Sequence, residues 1–182
     1  MLSRSWGISR PVVSYIGELL TAGSPAQLVA GLLLVVAGLS FAVCGTALAI
    51  IDAQQHRLPN RIVYPWSGFT VGLLVLVTFL LSDAASLGRA VAAGLAWGTL
   101  FLAVTVIHPP AIGMGDVKLA VVLGLYTGFF GWEVFAVGVA LSFLLGGLVS
   151  VGLLVTQQVS SSTKIAFGPF LILGSAAALM LS

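Results

Sequence analysis

Apolar runs separated by short polar segments make up the chain from residue 28 onwards. A helix of about 20 apolar residues crosses a bilayer, and runs of about this length are bounded here by charges, proline or polar clusters. The six runs cover residues 28–51, 62–81, 87–107, 117–130, 134–155 and 165–181. The pattern predicts an all-α membrane protein, a polytopic bundle of about six transmembrane helices.

The fourth run is the shortest. Its 14 residues, 117–130, would rise only about 21 Å, which is less than the hydrocarbon core of a bilayer. Two alternatives remain open at this stage: the helix is completed by Asp116 and Gly131, or it begins below the membrane surface. The segments between the runs are short, so no soluble domain is inserted.

Two regions follow from this pattern. Residues 1–26 contain Arg4, Arg10 and Glu18 and lack a long uninterrupted apolar core, so they fit a cleavable signal peptide poorly. We predict an N-terminal tail that could carry a short interfacial helix. Residues 27–182 are predicted to form one six-helix transmembrane domain.

Composition supports the membrane assignment. The 182 residues are 59% hydrophobic and 7% charged, and the mean hydropathy is +1.18, whereas an average soluble domain has about 25% charged residues. The net charge of +2 is too small and dispersed for a nucleic-acid-binding surface, so nucleic acid is not an expected partner. The single cysteine, Cys44, excludes an internal disulfide and a CxxC metal site.

Counting helices between charges assigns them to membrane faces. Two complete runs separate Asp52 from Asp116, so both acids are expected on the same face, together with the basic residues Arg57, Arg61, Lys118 and Lys164. Arg4, Arg10 and Arg89 are expected on the other face. The positive-inside rule then makes the acid-bearing face cytoplasmic, by a small majority of basic residues.

Two carboxylates at a membrane surface are the candidate chemistry. Acids near apolar helices are costly and usually functional. Carboxylates a few ångströms apart tend to share one proton, so one can accept a proton from water while the other donates one to a substrate. Gly113 and Gly115 would let a backbone approach the pair and would permit unusual dihedrals. The competing interpretation is a flexible turn with Asp116 as an N-cap.

Three motifs together resemble a known family. Asp52 is followed by Pro59 and Asn60, the segment 113–119 reads GMGDVKL, and Lys164 precedes Phe167, Gly168 and Pro169. In this order they resemble the type IV prepilin peptidases, which belong to the GxGD group of intramembrane aspartic proteases. The resemblance extends from about residue 28 to the end of the chain.

The resemblance implies a membrane aspartic endopeptidase of the bacterial inner membrane, with its active site near the cytoplasmic face. It would cleave the basic leader from type IV pilin-like precursors, each a single apolar helix. Asp52 and Asp116 match the catalytic aspartates and need no cofactor. The residues that match the supporting motifs are Gly113, Gly115, Lys118, Pro59, Asn60, Lys164, Gly168 and Pro169.

The chain also departs from part of the family. Many members carry a cytoplasmic segment with paired CxxC motifs that is associated with N-methylation of the trimmed pilin. Only 27 residues precede the first run, and Cys44 is the one cysteine. The chain therefore resembles the compact, cleavage-only form, similar to peptidases of Flp/Tad-type pili.

Other interpretations stay open. Lys118 could reach the membrane surface rather than the site. His56 and His108 lack metal-ligand spacing, so no metal is expected. A small proton- or cation-coupled transporter could use the aspartates as a relay, and a non-catalytic assembly component would need neither acid. The sequence does not indicate the particular prepilin or the oligomeric state.

Overall fold

A bundle of α-helices forms the part of the chain that the computed structural model describes, namely residues 11–55, 57–107, 113–155 and 166–182. In these ranges the helices are α1 (Val12–Thr21), α2 (Pro25–Gln55), α3 (Asn60–Leu81), α4 (Ala84–Ile107), α5 (Met114–Phe130), α6 (Trp132–Val155) and α7 (Gly168–Leu181). The helices α2 to α7 coincide with the six apolar runs, so the predicted fold class is confirmed.

Four of the helices are long and apolar enough to cross a membrane. They are α2, α3 and α4 over their full lengths and α6 over Trp132–Gly152. The remaining two of the predicted spans are shorter, with 17 residues in α5 and 14 in α7. The chain is therefore a multi-pass membrane protein, and the crossing of α5 and α7 stays a prediction.

The short helix α5 lies inside the bundle. Every residue from 122 to 129 is buried, which requires neighbours on all sides of the helix. It contacts α3, α4, α6 and α7. Because protein surrounds α5, its short length does not have to match the thickness of the lipid. Its first residue is Met114, so Asp116 falls within the helix.

Glycines bring two helix pairs into backbone contact. A Cβ atom at Gly124 of α5 would lie 2.6 Å from the Cα of Gly94 on α4, and one at Gly174 of α7 would overlap Ser142 of α6. Small residues allow such close approach of helices in lipid. The pairs α4–α5 and α6–α7 are accordingly the most extensive helix contacts of the described chain.

A buried polar network connects α2, α3 and α5. The Tyr126 hydroxyl donates to the Ala37 carbonyl at 3.1 Å and accepts from Trp66 Nε1 at 3.2 Å. Its oxygen also lies 2.8 Å from Ser40 Oγ and 3.1 Å from Thr70 Oγ1. The rings of Phe41 and Tyr126 pack edge to face. These contacts join the helices that carry the two acids.

The described part of the predicted N-terminal tail contains a helix. Residues Val12–Thr21 form α1, which packs on α2 and α7 with Val12 and Leu19 buried. A Cβ at Gly31 of α2 would lie 3.1 Å from Leu19 Cβ, so the glycine admits this helix closely. The extent of the N-terminal tail and the place of this helix at a membrane interface stay predictions.

Candidate active site

Asp52 is a buried acid in the last turn of α2. Only 5% of its surface is exposed. The backbone N–H of Gly168, the first residue of α7, donates to Asp52 Oδ2 at 3.0 Å. The structure therefore brings the predicted residues Asp52 and Gly168 together from opposite ends of the sequence.

Asp116 is the third residue of α5, at the same end of the bundle. Gly113 is the N-cap of this helix, and its carbonyl accepts from the Asp116 N–H at 3.0 Å. The alternative in which Asp116 itself is the N-cap is therefore wrong. The chain reverses between Gln55 and Asn60 and again after Ile107, which returns both acids to one end.

The two acids interact electrostatically. Asp116 precedes the apolar part of α5 and lies outside the four helices that are long enough to cross a membrane. Burial raises its pKa to about 6, the negative charge of Asp52 adds to the rise, and a hydrogen bond with the Gly113 backbone opposes it. Two acids that influence each other in this way can hold a single proton between them.

Gly113 and Gly115 have ordinary backbone conformations, so the expectation of unusual dihedrals is wrong. Gly113 has φ −78° and ψ 148°, which is extended backbone, and Gly115 is helical. A Cβ at Gly115 would lie only 2.8 Å from Leu58 Cβ. A glycine is needed at position 115 because the connection between α2 and α3 packs directly against the first turn of α5.

The segment Phe167 to Pro169 positions the start of α7. The Phe167 ring packs against Phe101 and Phe143, with ring centroids 6.1 and 5.7 Å away. Gly168 and Pro169 are the first two residues of the helix, and proline suits this position because it has no N–H to leave unpaired. The aromatic contacts thus anchor the turn that reaches Asp52.

Lys118 joins α5 to the start of α3. Its Nζ donates to Asn60 Oδ1 at 2.9 Å and lies 4.7 Å from the centroid of the Tyr64 ring. Pro59 is the N-cap of α3, and its carbonyl accepts from the N–H groups of Ile62 and Val63. The structure therefore brings Pro59, Asn60 and Lys118 together where α3 begins, and Lys118 lies two residues after Asp116 in α5.

Some predicted residues lie outside the described ranges. They are Lys164, His56 and His108. Within the described ranges, three or more His, Cys, Asp or Glu residues do not come together as a metal-binding group would require. Asp83 and Glu133 lie at the turns at the opposite end of the bundle, away from Asp52 and Asp116.

Sequence reasoning missed two contributors to this site. Leu58 fills the space beside Gly115, and Tyr126 joins the helices that carry the acids. An isolated leucine in a loop carries no signal of such a contact. A tyrosine in an otherwise apolar run does carry one, because a buried hydroxyl needs a hydrogen-bond partner.

An apolar cavity lies alongside the helix that carries Asp52. Its volume is about 340 Å³, and residues of α1, α2 and α7 line most of it. Thr46 on α2 is the lining residue nearest in sequence to Asp52, less than two helical turns away. Gly38 and Ala42 keep the α2 side of the cavity open.

Comparison with known families gives one match over more than half of the chain. The profile of the type IV leader peptidase family matches residues 39–151. This segment includes Asp52 and Asp116 and ends before Gly168. No solved structure matches the chain.

Curated relatives are similar over about 70% of the chain. A prepilin leader peptidase/N-methyltransferase of Pseudomonas putida is 38% identical over 128 residues, 69% of this chain and 42% of that protein. The proteins of the same name from Stutzerimonas stutzeri and Aeromonas hydrophila are each 30% identical over 74% of this chain. The chain spans less than half the length of these relatives, with 42% to 45% covered.

Proposed function

We propose, from the premise that the chain belongs to the type IV leader peptidase family, that it is a membrane aspartic endopeptidase. Its substrates would be type IV pilin-like precursors, from which it would remove the basic leader. The single observation that carries the proposal is the electrostatic interaction of Asp52 and Asp116 at one end of the bundle.

The reaction needs one proton on the pair. The ionised aspartate takes a proton from a water molecule, and the water oxygen attacks the carbonyl carbon of the scissile amide. The protonated aspartate donates its proton to the carbonyl oxygen. Collapse of the tetrahedral intermediate breaks the C–N bond, and the proton gained from water passes to the leaving nitrogen. One hydroxyl proton of the intermediate returns to the other aspartate, which restores the pair with its single proton. The carboxylates act by acid–base chemistry alone, without a covalent intermediate.

The surroundings of the pair suit a substrate that is an apolar helix with a basic leader. At this end Asn60 is exposed and accepts from the half-buried Lys118, which marks the water-accessible side. The apolar cavity beside α2 provides surface for the helical part of the substrate, close in sequence to Asp52. The leader would stay in water while the helix approaches from the lipid.

The proposed location is the bacterial inner membrane, with Asp52 and Asp116 near the cytoplasmic face. Arg57, Arg61 and Lys118 lie at the same end as the acids, and Arg89 lies at the other. This distribution favours a cytoplasmic position for the acids under the positive-inside rule. The resemblance to peptidases of Flp/Tad-type pili makes precursors of such pili the first substrates to test.

The decisive experiment is a cleavage assay with isosteric variants. Asp52→Asn and Asp116→Asn should each abolish leader removal from a co-expressed prepilin, because an amide can neither accept nor donate the proton that the reaction requires. Both variants should still insert into the membrane, since asparagine keeps the size of the side chain and an oxygen that can accept from Gly168. Cleavage is measured as a mobility shift of the pilin.

Asp83→Asn is the matched control, because Asp83 lies at the opposite end of the bundle and should be dispensable for cleavage. Full processing by either active-site variant would overturn the aspartic mechanism. It would leave the transporter and the non-catalytic assembly component as the remaining candidates.

A further inference from the structure

In the first turn of α7, one backbone N–H group has no hydrogen-bond partner within the helix and its N-cap. Normally the first N–H groups of a helix lack partners within the helix. Here Phe170 and Leu171 both donate to the Phe167 carbonyl, at 3.1 and 3.2 Å, and Pro169 has no N–H. The remaining donor is Gly168, and it is directed at Asp52 Oδ2.

Residue 168 has no room for a side chain. A Cβ at this position would lie 2.6 Å from Asp52 Oδ2 and 3.2 Å from its Cγ. Asp52 is buried, so its carboxyl group cannot swing aside into solvent. Any other residue at position 168 would therefore displace the carboxylate itself rather than a flexible neighbour.

The helix dipoles of α2 and α7 act in opposite senses on the Asp52 carboxylate. Asp52 lies in the last turn of α2, where the partial negative charge of the helix C-terminus disfavours a carboxylate. The N-terminus of α7 carries partial positive charge and faces the same group. The contact with α7 thus opposes the unfavourable end of α2.

We infer that Gly168 is a positioning residue for Asp52: its backbone N–H holds one carboxylate oxygen and favours the ionised form, while its missing side chain leaves the carboxylate in place. The inference rests on the proposed peptidase function and adds α7 to the machinery of that site. Gly168 acts through Asp52 and does not need to touch the substrate.

Other ionisable side chains lie at the same end of the bundle as Asp52 and can also influence the pH dependence of the rate. Among the described residues, the ionisable side chains there are Asp116 and Lys118 on α5, Arg57 after α2, and Arg61 and Tyr64 on α3. A substitution at residue 168 changes none of them. A shift in pH dependence that it causes is therefore assigned to the pair of Asp52 and Asp116, and the Asp116→Asn background isolates the part that belongs to Asp52.

The test compares Gly168→Ala with Gly147→Ala in purified full-length protein. A Cβ at Gly147 of α6 would meet nothing within 4 Å, so this control adds the same methyl group to a helix at no steric cost. We expect Gly168→Ala to lower kcat by about tenfold or more, the effect of weakening a hydrogen bond to a charged group. KM for the prepilin should stay unchanged.

The pH profile separates positioning from general damage to the fold. Because Gly168 favours ionised Asp52, Gly168→Ala should move the acidic limb of the rate profile to higher pH, and Gly147→Ala should not. A merely structural defect would lower the rate equally at every pH. Unchanged kcat and pH profile in Gly168→Ala would overturn the inference.

A second measurement does not depend on cleavage. Infrared spectra of the Asp116→Asn variant are recorded at a series of pH values, and the spectra of the double variant Asp116→Asn with Asp52→Asn are subtracted. The difference shows the band of the protonated Asp52 carboxyl group. Adding Gly168→Ala should let this band persist to higher pH, and an unchanged titration would contradict the inference. Absence of prepilin cleavage by the unsubstituted protein would instead count against the proposed function.

Discussion

At the scale of single residues, each acid has a glycine beside it for a different reason. Gly168 leaves the Asp52 carboxylate undisturbed, and Gly115 makes room for Leu58 next to the turn that carries Asp116. The sequence motif predicted that Gly113 and Gly115 let a backbone approach the acids and permit unusual dihedrals, and it gave no such reason for Gly168. Their real partners come from other parts of the chain, so local spacing could not identify them.

The raised pKa of Asp116 predicts how activity depends on pH. Asp116 keeps its proton below about pH 6 and loses it as the pH rises through that value. With Asp52 ionised, that loss removes the one proton that the pair needs as an acid. The cleavage rate of the purified protein should therefore fall on the alkaline side of about pH 6, by roughly tenfold for each further pH unit.

The measurement is a single-turnover cleavage rate between about pH 5 and about pH 8, with substrate binding followed separately. Asp83→Asn should show the same alkaline limb as the unsubstituted protein, since Asp83 is remote from the pair. A rate that rises steadily through this range would contradict the assigned role of a shared proton.

At the scale of helices, the apolar runs predicted α2 to α7 because continuous hydrophobicity is sufficient to identify a membrane helix. The residues at which these helices begin and end were harder to predict. The predicted apolar runs stop at residue 51 and start at residue 117, with the two acids at the helix ends, whereas α2 continues to Gln55 and α5 begins at Met114. Asp52 and Asp116 therefore lie within the terminal turns of these helices. The bundle interior also escaped prediction, because Tyr126 finds its partners only after α2, α3 and α5 have packed together.

The Tyr126 network should be a measurable source of stability. Tyr126→Phe removes the hydroxyl that accepts from Trp66 Nε1 and donates to the Ala37 carbonyl, and both of those groups are buried. We expect a loss of about 1–2 kcal/mol in the free energy of unfolding, in line with buried hydrogen bonds in membrane proteins. Unfolding in mixed detergent micelles is the measurement.

Tyr64→Phe is the matched control for this change. Tyr64 is 57% exposed and contacts Lys118 through its ring, which phenylalanine keeps. Its effect on stability should be small. Equal losses in both variants would mean that the buried network contributes nothing beyond the general effect of removing a hydroxyl.

At the scale of the whole molecule, the candidate site lies where two helix pairs meet. Asp116 belongs to the α4–α5 pair and Gly168 to the α6–α7 pair, and glycines bring the backbones together within each pair. Asp52 on α2 is hydrogen-bonded to the second pair through Gly168. The tertiary arrangement, rather than any single helix, therefore brings the acids together.

Cysteine labelling tests the topology of this arrangement. In a Cys44→Ser background, Gln55→Cys and Met114→Cys place exposed thiols near the two acids, and Ala85→Cys places one at the opposite end. A membrane-impermeant reagent should modify positions 55 and 114 from the cytoplasmic side and position 85 from the other. Modification of 55 and 114 from opposite sides would exclude a shared proton between Asp52 and Asp116.

The glycine contacts between α4 and α5 leave this pair little freedom to slide, because a shift along the axis would press Cβ atoms into the facing backbone. A change in the separation of the carboxylates would then have to come from movement of α2, which carries Asp52, against that pair. Helix tilt responds to hydrocarbon thickness. If the proposed function is right, lipid chain length is therefore expected to change the rate of leader cleavage.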